Sequence, residues 1–226
     1  MLEKLPDVIG HALRHRRAGL DHVAFNLIDL REGTAAIAVA SLAFHDHGPI
    51  PPRYTADGEG ISPPLSWSGI PAGTESLLLL VEDADAPTPH PLVHAILAGM
   101  APSDGALPEG GIDADRADVD ATTNPDASAS RGEHWRPGRN SYLQTGWLPP
   151  DPPPGHGVHR YVFQVYALGP GEELPQTPGR DAVLEAIRNR GVASGMLIGT
   201  FERPDGSIRV DADEPAIVNA GSLTPT

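Results

Sequence analysis

The chain has 226 residues, enough for one large domain or two small ones with a core that needs no covalent staples. Lys and Arg number 16 against 30 Asp and Glu, a net charge of −14. That balance argues against a nucleic-acid binder or a polybasic membrane-surface protein, both of which run on a basic face. Cysteine is absent, which excludes disulfides, thiolate catalysis and Cys-ligated zinc.

Glycine and proline, 25 each, make up about 22% of the chain against an ordinary share of about 12%. Such punctuation favours short strands joined by shaped loops. No run of 18 apolar residues exists, and the start MLEKLPDVIG lacks the apolar stretch of a secretory signal, so the expectation is a soluble, cytoplasmic protein.

Residues 1–33 read as an amphipathic helical extension. Leu5, Val8, Ile9, Ala12, Leu13 and Leu20 recur at helical steps around a basic run, Arg14, His15, Arg16 and Arg17. Nearby acidic residues offset that run, so the expected role is a helix docked on its own domain or on a partner subunit, which makes a homodimer an open possibility. Residues 34–203 form the main domain. Thr34–Phe44 predicts a first strand, and the Pro/Gly-rich stretch after it predicts a long ordered loop.

Ser76–Val81 and Val93–Ala98 read as buried strands. Arg160–Leu168 alternates cleanly, Tyr161, Phe163, Val165 and Ala167 on one face and Val162, Gln164, Tyr166 and Leu168 on the other. Between them, about residues 101–137, lies an acidic, apolar-poor surface insertion whose Asp spacing lacks the EF-hand pattern. Asp181–Arg190 predicts a helix ended by Gly191, and Val192–Phe201 a final turn and short strand. Residues 204–226 read as a polar tail.

Three segments carry chemistry. Asp83 and Asp85 follow an apolar strand; on an extended chain their carboxylates point the same way and repel unless a cation, donors or a proton intervene, the ordinary alternative being a solvated turn. His94 sits inside the apolar run VHAILA, where an imidazole is costly unless partnered, either as a site residue or as a satisfied core histidine. His90 lies four residues before it, but Pro89 and Pro91 rule out the helix that zinc ligation at this spacing needs. Gly155-His156-Gly157-Val158-His159-Arg160-Tyr161 follows a proline-rich run, with His159 and Tyr161 emerging on one face at a strand end.

Taken in order, IPPRYTADGEGISPPLSWSGIPAGTESLLLLVEDADAP, the Val93-His94 pair and PPPGHGVHRYVFQVYAL resemble the phosphatidylethanolamine-binding protein family, in particular its bacterial Raf-kinase-inhibitor-like members. The first matches the family's D-x-D-x-P motif at Asp83, Asp85 and Pro87, the last its G-x-H-R-Y motif at Gly157, His159, Arg160 and Tyr161. The resemblance implies a mainly β fold, an antiparallel Greek-key-type β-sandwich with a few peripheral helices. It also implies an anion pocket formed by Asp83, His94, His159 and Tyr161, with Asp85 and Pro87 shaping one loop, Gly155 and Gly157 the opposite wall, and Ala86–Pro87 a candidate cis bond. Leu92 and Ala95 stand where the family often has Trp, and Trp147 and Pro149 where it often has Tyr and Gly.

A carboxyl, two imidazoles and a phenol suit a phospho-head-group carrying an amine, or another small phosphate or carboxylate. The expected role is binding such an anion without metal or cofactor, with regulation of a kinase or protease partner as the outlet. Acid–base catalysis on a small molecule in the same pocket, or a non-catalytic dimeric interaction role, are the alternatives, and no nucleophile-elbow, Walker or zinc motif is present.

Overall fold

The computed structural model describes residues 7–28, 30, 35–112 and 135–203. The core of the acidic insertion, the 204–226 tail and the first six residues lie outside them. Among the described residues ten strands form two sheets: β1 Ala35–Ala36, β2 Ala38–Ala40, β3 Gly48–Pro49, β4 Leu65–Ser68, β5 Ser76–Asp83, β6 Leu92–Met100, β7 Gly105–Leu107, β8 Arg136–Pro137, β9 His159–Leu168 and β10 Gly191–Phe201. The larger sheet runs β1-β10-β9-β5-β6-β8, with β3 also on β10; the smaller runs β2-β4-β7. Among the described residues the α-helices are α1 Asp7–Leu13, the single turn α2 Ala24–Leu27, and α3 Arg180–Arg190.

The sequence pattern explains the layers. The apolar run of β5 is buried at every position after Ser76 because the strand is central and covered on both faces. The two faces of β9 separate as their alternation predicts. Tyr161, Phe163, Val165 and Ala167 enter the core between the sheets, with Leu65 and Trp67 of β4 and Leu107 of β7. Tyr166 and Leu168 face the opposite core, under Val183, Leu184 and Ile187 of α3. Those three residues project from one side of the helix at three- and four-residue steps.

Three expectations change in detail. Thr34–Phe44 is not one strand: Ile37 is buried at a crossing point, β1 pairing with β10 and β2 with β4 in the other sheet. Gly195, whose added Cβ would meet the Ile37 carbonyl at 1.9 Å, allows the two chains to touch there. Gly191 ends α3 with extended angles and leads straight into β10, an eleven-residue strand paired with β9 along its length. The pairings of β1 and β3 with β10 are parallel, so the larger sheet is mixed, and the rest is antiparallel. No helix among the described residues is long and apolar enough to cross a membrane.

The N-terminal segment is not a continuous helix. After α1 it extends, makes a tight turn at Leu20–His22 and enters α2. Gly19, at φ +97°, allows that change of direction. Residues 20–28 are fastened by buried polar contacts: the Ala24 N–H donates to Glu82 Oε2 (2.8 Å) and the Phe25 N–H to Gln164 Oε1 (2.8 Å). Arg180 of α3 completes the Glu82 carboxylate at 2.7 Å. A buried charge is tolerated only when so surrounded.

Candidate functional site

The ends of β5, β6 and β9 bring Asp83, His94, His159 and Tyr161 together, all buried. Antiparallel pairing sets Asp83 opposite Tyr161. His94 meets the Tyr161 ring edge-on at a centroid distance of 5.1 Å, and the His159 ring stacks on the other side at 6.4 Å. The loop after β8 adds Trp147, whose ring lies 6.1 Å from His94 and stacks on Phe163 at 6.0 Å.

Hydrogen bonds assign the protons. The Leu148 carbonyl can only accept, so His94 Nδ1 donates to it at 2.6 Å and Nε2 is left bare when the ring is neutral. Burial holds the His94 imidazole below its ordinary pKa, with the Asp83 charge opposing that shift, and so favours the neutral ring. His94 Nε2, Trp147 Nε1 and Tyr161 Oη are all buried and have no hydrogen-bond partner among the described residues. Burial, then the Asp83 charge, raises the Tyr161 pKa well above its ordinary value, so the phenol keeps its proton.

A second line of groups runs outward. Asp83 Oδ1 accepts the Asp85 N–H (2.8 Å), and Oδ2 meets His159 Nδ1 (2.7 Å). His159 Nε2 lies 2.7 Å from His156 Nδ1, and His156 Nε2 donates to the carbonyls of Leu13 (2.9 Å) and Arg16 (3.2 Å). Burial, then the neighbouring His159, lowers the His156 pKa, which favours a neutral ring whose one proton lies on Nε2, toward the two carbonyls. Both nitrogens of His159 are thus occupied.

Asp85 takes a different part from Asp83. Its fully buried carboxylate accepts from Arg160 through the backbone N–H (2.9 Å), Nε (2.6 Å) and Nη2 (2.6 Å), and Arg17 Nη1 lies 2.9 Å from Oδ1. Burial alone raises the Asp85 pKa, but the Arg160 and Arg17 hydrogen bonds outweigh it and the net shift is downward. The repulsion expected between the two carboxylates is relieved by the His159 ring nitrogen and the Asp85 N–H on one and two guanidinium groups on the other.

Pro87 is half-buried behind this turn. The Ala86–Pro87 bond is trans, like all described peptide bonds, which corrects the expected cis form. Trans is the ordinary preference of an X–Pro bond, and here the Ala86 carbonyl accepts the Ala18 N–H (3.0 Å). Gly155 and Gly157 both have positive φ, and a Cβ at Gly157 would lie 3.2 Å from Arg17 Nη2. The 151–155 wall is held by Arg203, which pairs with Asp57 and Asp151 and donates to the Pro152 carbonyl at 2.7 Å.

His156, Arg17 and Arg203 are participants that sequence reasoning did not select, and Trp147 entered it only as a departure from the family pattern. His156 stands within the glycine-rich motif, where the flanking glycines are the stronger local signal; nothing local marks Arg17 or Arg203. Among the described residues no group of three or more His, Asp or Glu is placed to hold a metal ion.

Residues 40–202 match the family model described as phosphatidylethanolamine-binding protein. A UPF0098 protein of Methanothermobacter thermautotrophicus is 38% identical over 161 residues, covering 71% of this chain and 95% of that one. A Mycobacterium tuberculosis protein named "Putative lipoprotein LppC" is 36% identical over 168 residues, 74% of this chain and 72% of that one. The crystal structure of Escherichia coli YbcL, described as a new member of the mammalian PEBP family, superposes with a TM-score of 0.60 at 25% identity, covering 74% of this chain and 99% of that one. With the matched region running from β2 through β10 and containing every strand end that builds the cluster, the chain belongs to the phosphatidylethanolamine-binding protein family.

Proposed function

We propose that the cluster at the ends of β5, β6 and β9 binds a small oxyanion, a phosphate or the phosphate of a phospho-head-group. One observation carries the reading: three buried polar atoms, His94 Nε2, Trp147 Nε1 and Tyr161 Oη, lack partners on adjoining rings. Each such atom costs about 1–3 kcal/mol, and three together are a cost that a ligand offsets. Trp147 N–H and Tyr161 O–H donate as they stand. His94 becomes a third donor on taking a proton, so the site matches three oxygens of an oxyanion and takes up a proton with it.

Asp83 is engaged by His159 Nδ1 and the Asp85 N–H, which offsets part of its charge toward that ligand. An amine on the ligand would have to find its acceptor at the rim. Regulation of a kinase or protease partner, and dimerisation through residues 1–33, rest on the family resemblance and the charge pattern. A cytoplasmic location is part of this proposal, and the lipoprotein name of one relative makes cell fractionation the check.

The test is a thermal-shift and calorimetric titration with inorganic phosphate, phosphoethanolamine and acetate. A saturable phosphate response in wild type that is lost in Trp147→Phe and in Tyr161→Phe supports the assignment. A response that survives both substitutions unchanged places anion binding elsewhere.

A further inference from the structure

The N-terminal segment lies against the outer end of the line that leads from this cluster, at His156 and Asp85. Resting on the reading that this cluster takes an oxyanion, we propose that residues 7–19 are a gate for the site, latched shut in this structure and released to admit the anion.

Three separate contacts make the latch. Arg17 donates to the carbonyls of Val158 (2.6 Å) and His156 (3.0 Å), with Asp85 Oδ1 at 2.9 Å. His156 Nε2 donates to the carbonyls of Leu13 and Arg16. Helix α1 seats its backbone on the opposite wall at Gly10, where a Cβ would lie 1.8 Å from the Pro154 carbonyl oxygen. These contacts close over both motif loops, 83–87 and 153–159.

The segment is fastened unevenly. Its root is held by Glu82 and Gln164, and Leu20, Val23 and Phe25 join an apolar cluster with Val162 and Ile198. No residue of 9–17 belongs to the apolar clusters, and Ile9 is 39% exposed. An element held by polar contacts, with little apolar burial, opens at low cost relative to the whole fold. Gly19 stands at the boundary as the hinge, its N–H on the Ala84 carbonyl at 2.7 Å.

Chemistry links the latch to the ligand. The Leu13 and Arg16 carbonyls present oxygen atoms to His156, the outermost member of the line that leads through His159 to Asp83. On this proposal an oxyanion passing inward to His94, Trp147 and Tyr161 offers His156 the same kind of acceptor atom, so His156 can exchange the carbonyls for it and release the segment. Arg14, His15, Arg16 and Arg17 are exposed side by side on a chain of net charge −14, so the segment that covers the site also carries the local attraction for an anion.

The test uses the full chain and inorganic phosphate. Arg17→Ala removes one latch and leaves Asp85 paired with Arg160; Gly10→Ala breaks another by steric contact alone. Hydrogen exchange of residues 7–19 is followed with stopped-flow tryptophan fluorescence, Trp147 lying beside His94. Both variants are expected to exchange faster in 7–19 and to bind phosphate at least about tenfold faster, with tighter apparent affinity, because the closed fraction no longer competes. Faster exchange with unchanged phosphate kinetics overturns the gate and leaves the anion site standing. Absence of phosphate binding in wild type and both variants overturns the site, and the gate with it.

Discussion

Tyr161→Phe tests the reading of the cluster because it predicts opposite signs for stability and for binding. The hydroxyl is fully buried and unpartnered, while the ring is packed by His94, His159 and the core between the sheets. Removing one oxygen leaves the ring in place and adds no volume. An unsatisfied buried hydroxyl costs about 1–3 kcal/mol, so its removal in the ligand-free protein is expected to stabilise by about 1–2 kcal/mol. For a chain of this length that is a rise of about 2–8 °C in melting temperature.

The same variant loses one of the donors to the oxyanion. A hydrogen bond to a charged group contributes about 1.5–3 kcal/mol, so phosphate affinity is expected to fall about tenfold or more. Paired melts in phosphate-free buffer and in graded phosphate read both quantities on one sample. A variant less stable than wild type without ligand would show that the hydroxyl is already satisfied inside the fold. The cluster would then lack the unmet donor that a ligand is needed to satisfy, and the oxyanion assignment would fail.

Acid sensitivity follows from His94 and Asp85. The folded His94 lies below its ordinary value of 6.5. Above that pH neither state binds a proton there; below it the unfolded chain does and the folded chain resists, so stability falls as pH drops from about 6.5. The Asp85 contribution, from a folded value below 3.8, is intact above that pH and is lost at still lower pH. Denaturant melts from pH 8 to 3 check both, and stability flat between pH 7 and 5 contradicts the His94 part. Phosphate binding is expected to take up protons at pH 7, read as a calorimetric heat that depends on the buffer's ionisation enthalpy.

Trp147→Phe keeps an aromatic ring against Phe163 but loses the N–H donor and part of the indole's buried bulk, so it is expected to weaken phosphate about tenfold, with the space left in the core offsetting any gain in melting temperature from removing the unmet donor. Arg203→Ala strands Asp57 and Asp151 around a buried site and is expected to cost about 3 kcal/mol, seen as a lower denaturant midpoint with an unchanged slope. A loss under 1 kcal/mol would mean that the wall loop does not depend on that anchor.

The strands with strong periodicity were legible in the chain because the pattern is local. The alternation of 160–168 reports two differently covered faces, and the apolar run 76–81 reports a strand covered on both. Asp83, His94, His159 and Tyr161 were legible because each interrupts or ends such a run with a group that costs energy unless partnered. The division of 34–44 between two sheets was not, since the crossing at Ile37 is decided by a glycine more than 150 residues away. Nor was the length of β10, whose weak apolar pattern is stabilised by full pairing with β9.

Residue types at the site were thus set by the sequence, while their states were set by the packing. Which His94 nitrogen is bare depends on the Leu148 carbonyl, and whether Asp83 carries an uncompensated charge depends on His159. Arg17 gives no local sign of its part, because its carbonyl acceptor at Val158 is 141 positions away. A side chain's chemical capacity is written in its identity, but its proton, partner and exposure are fixed only when distant segments remove the water around it.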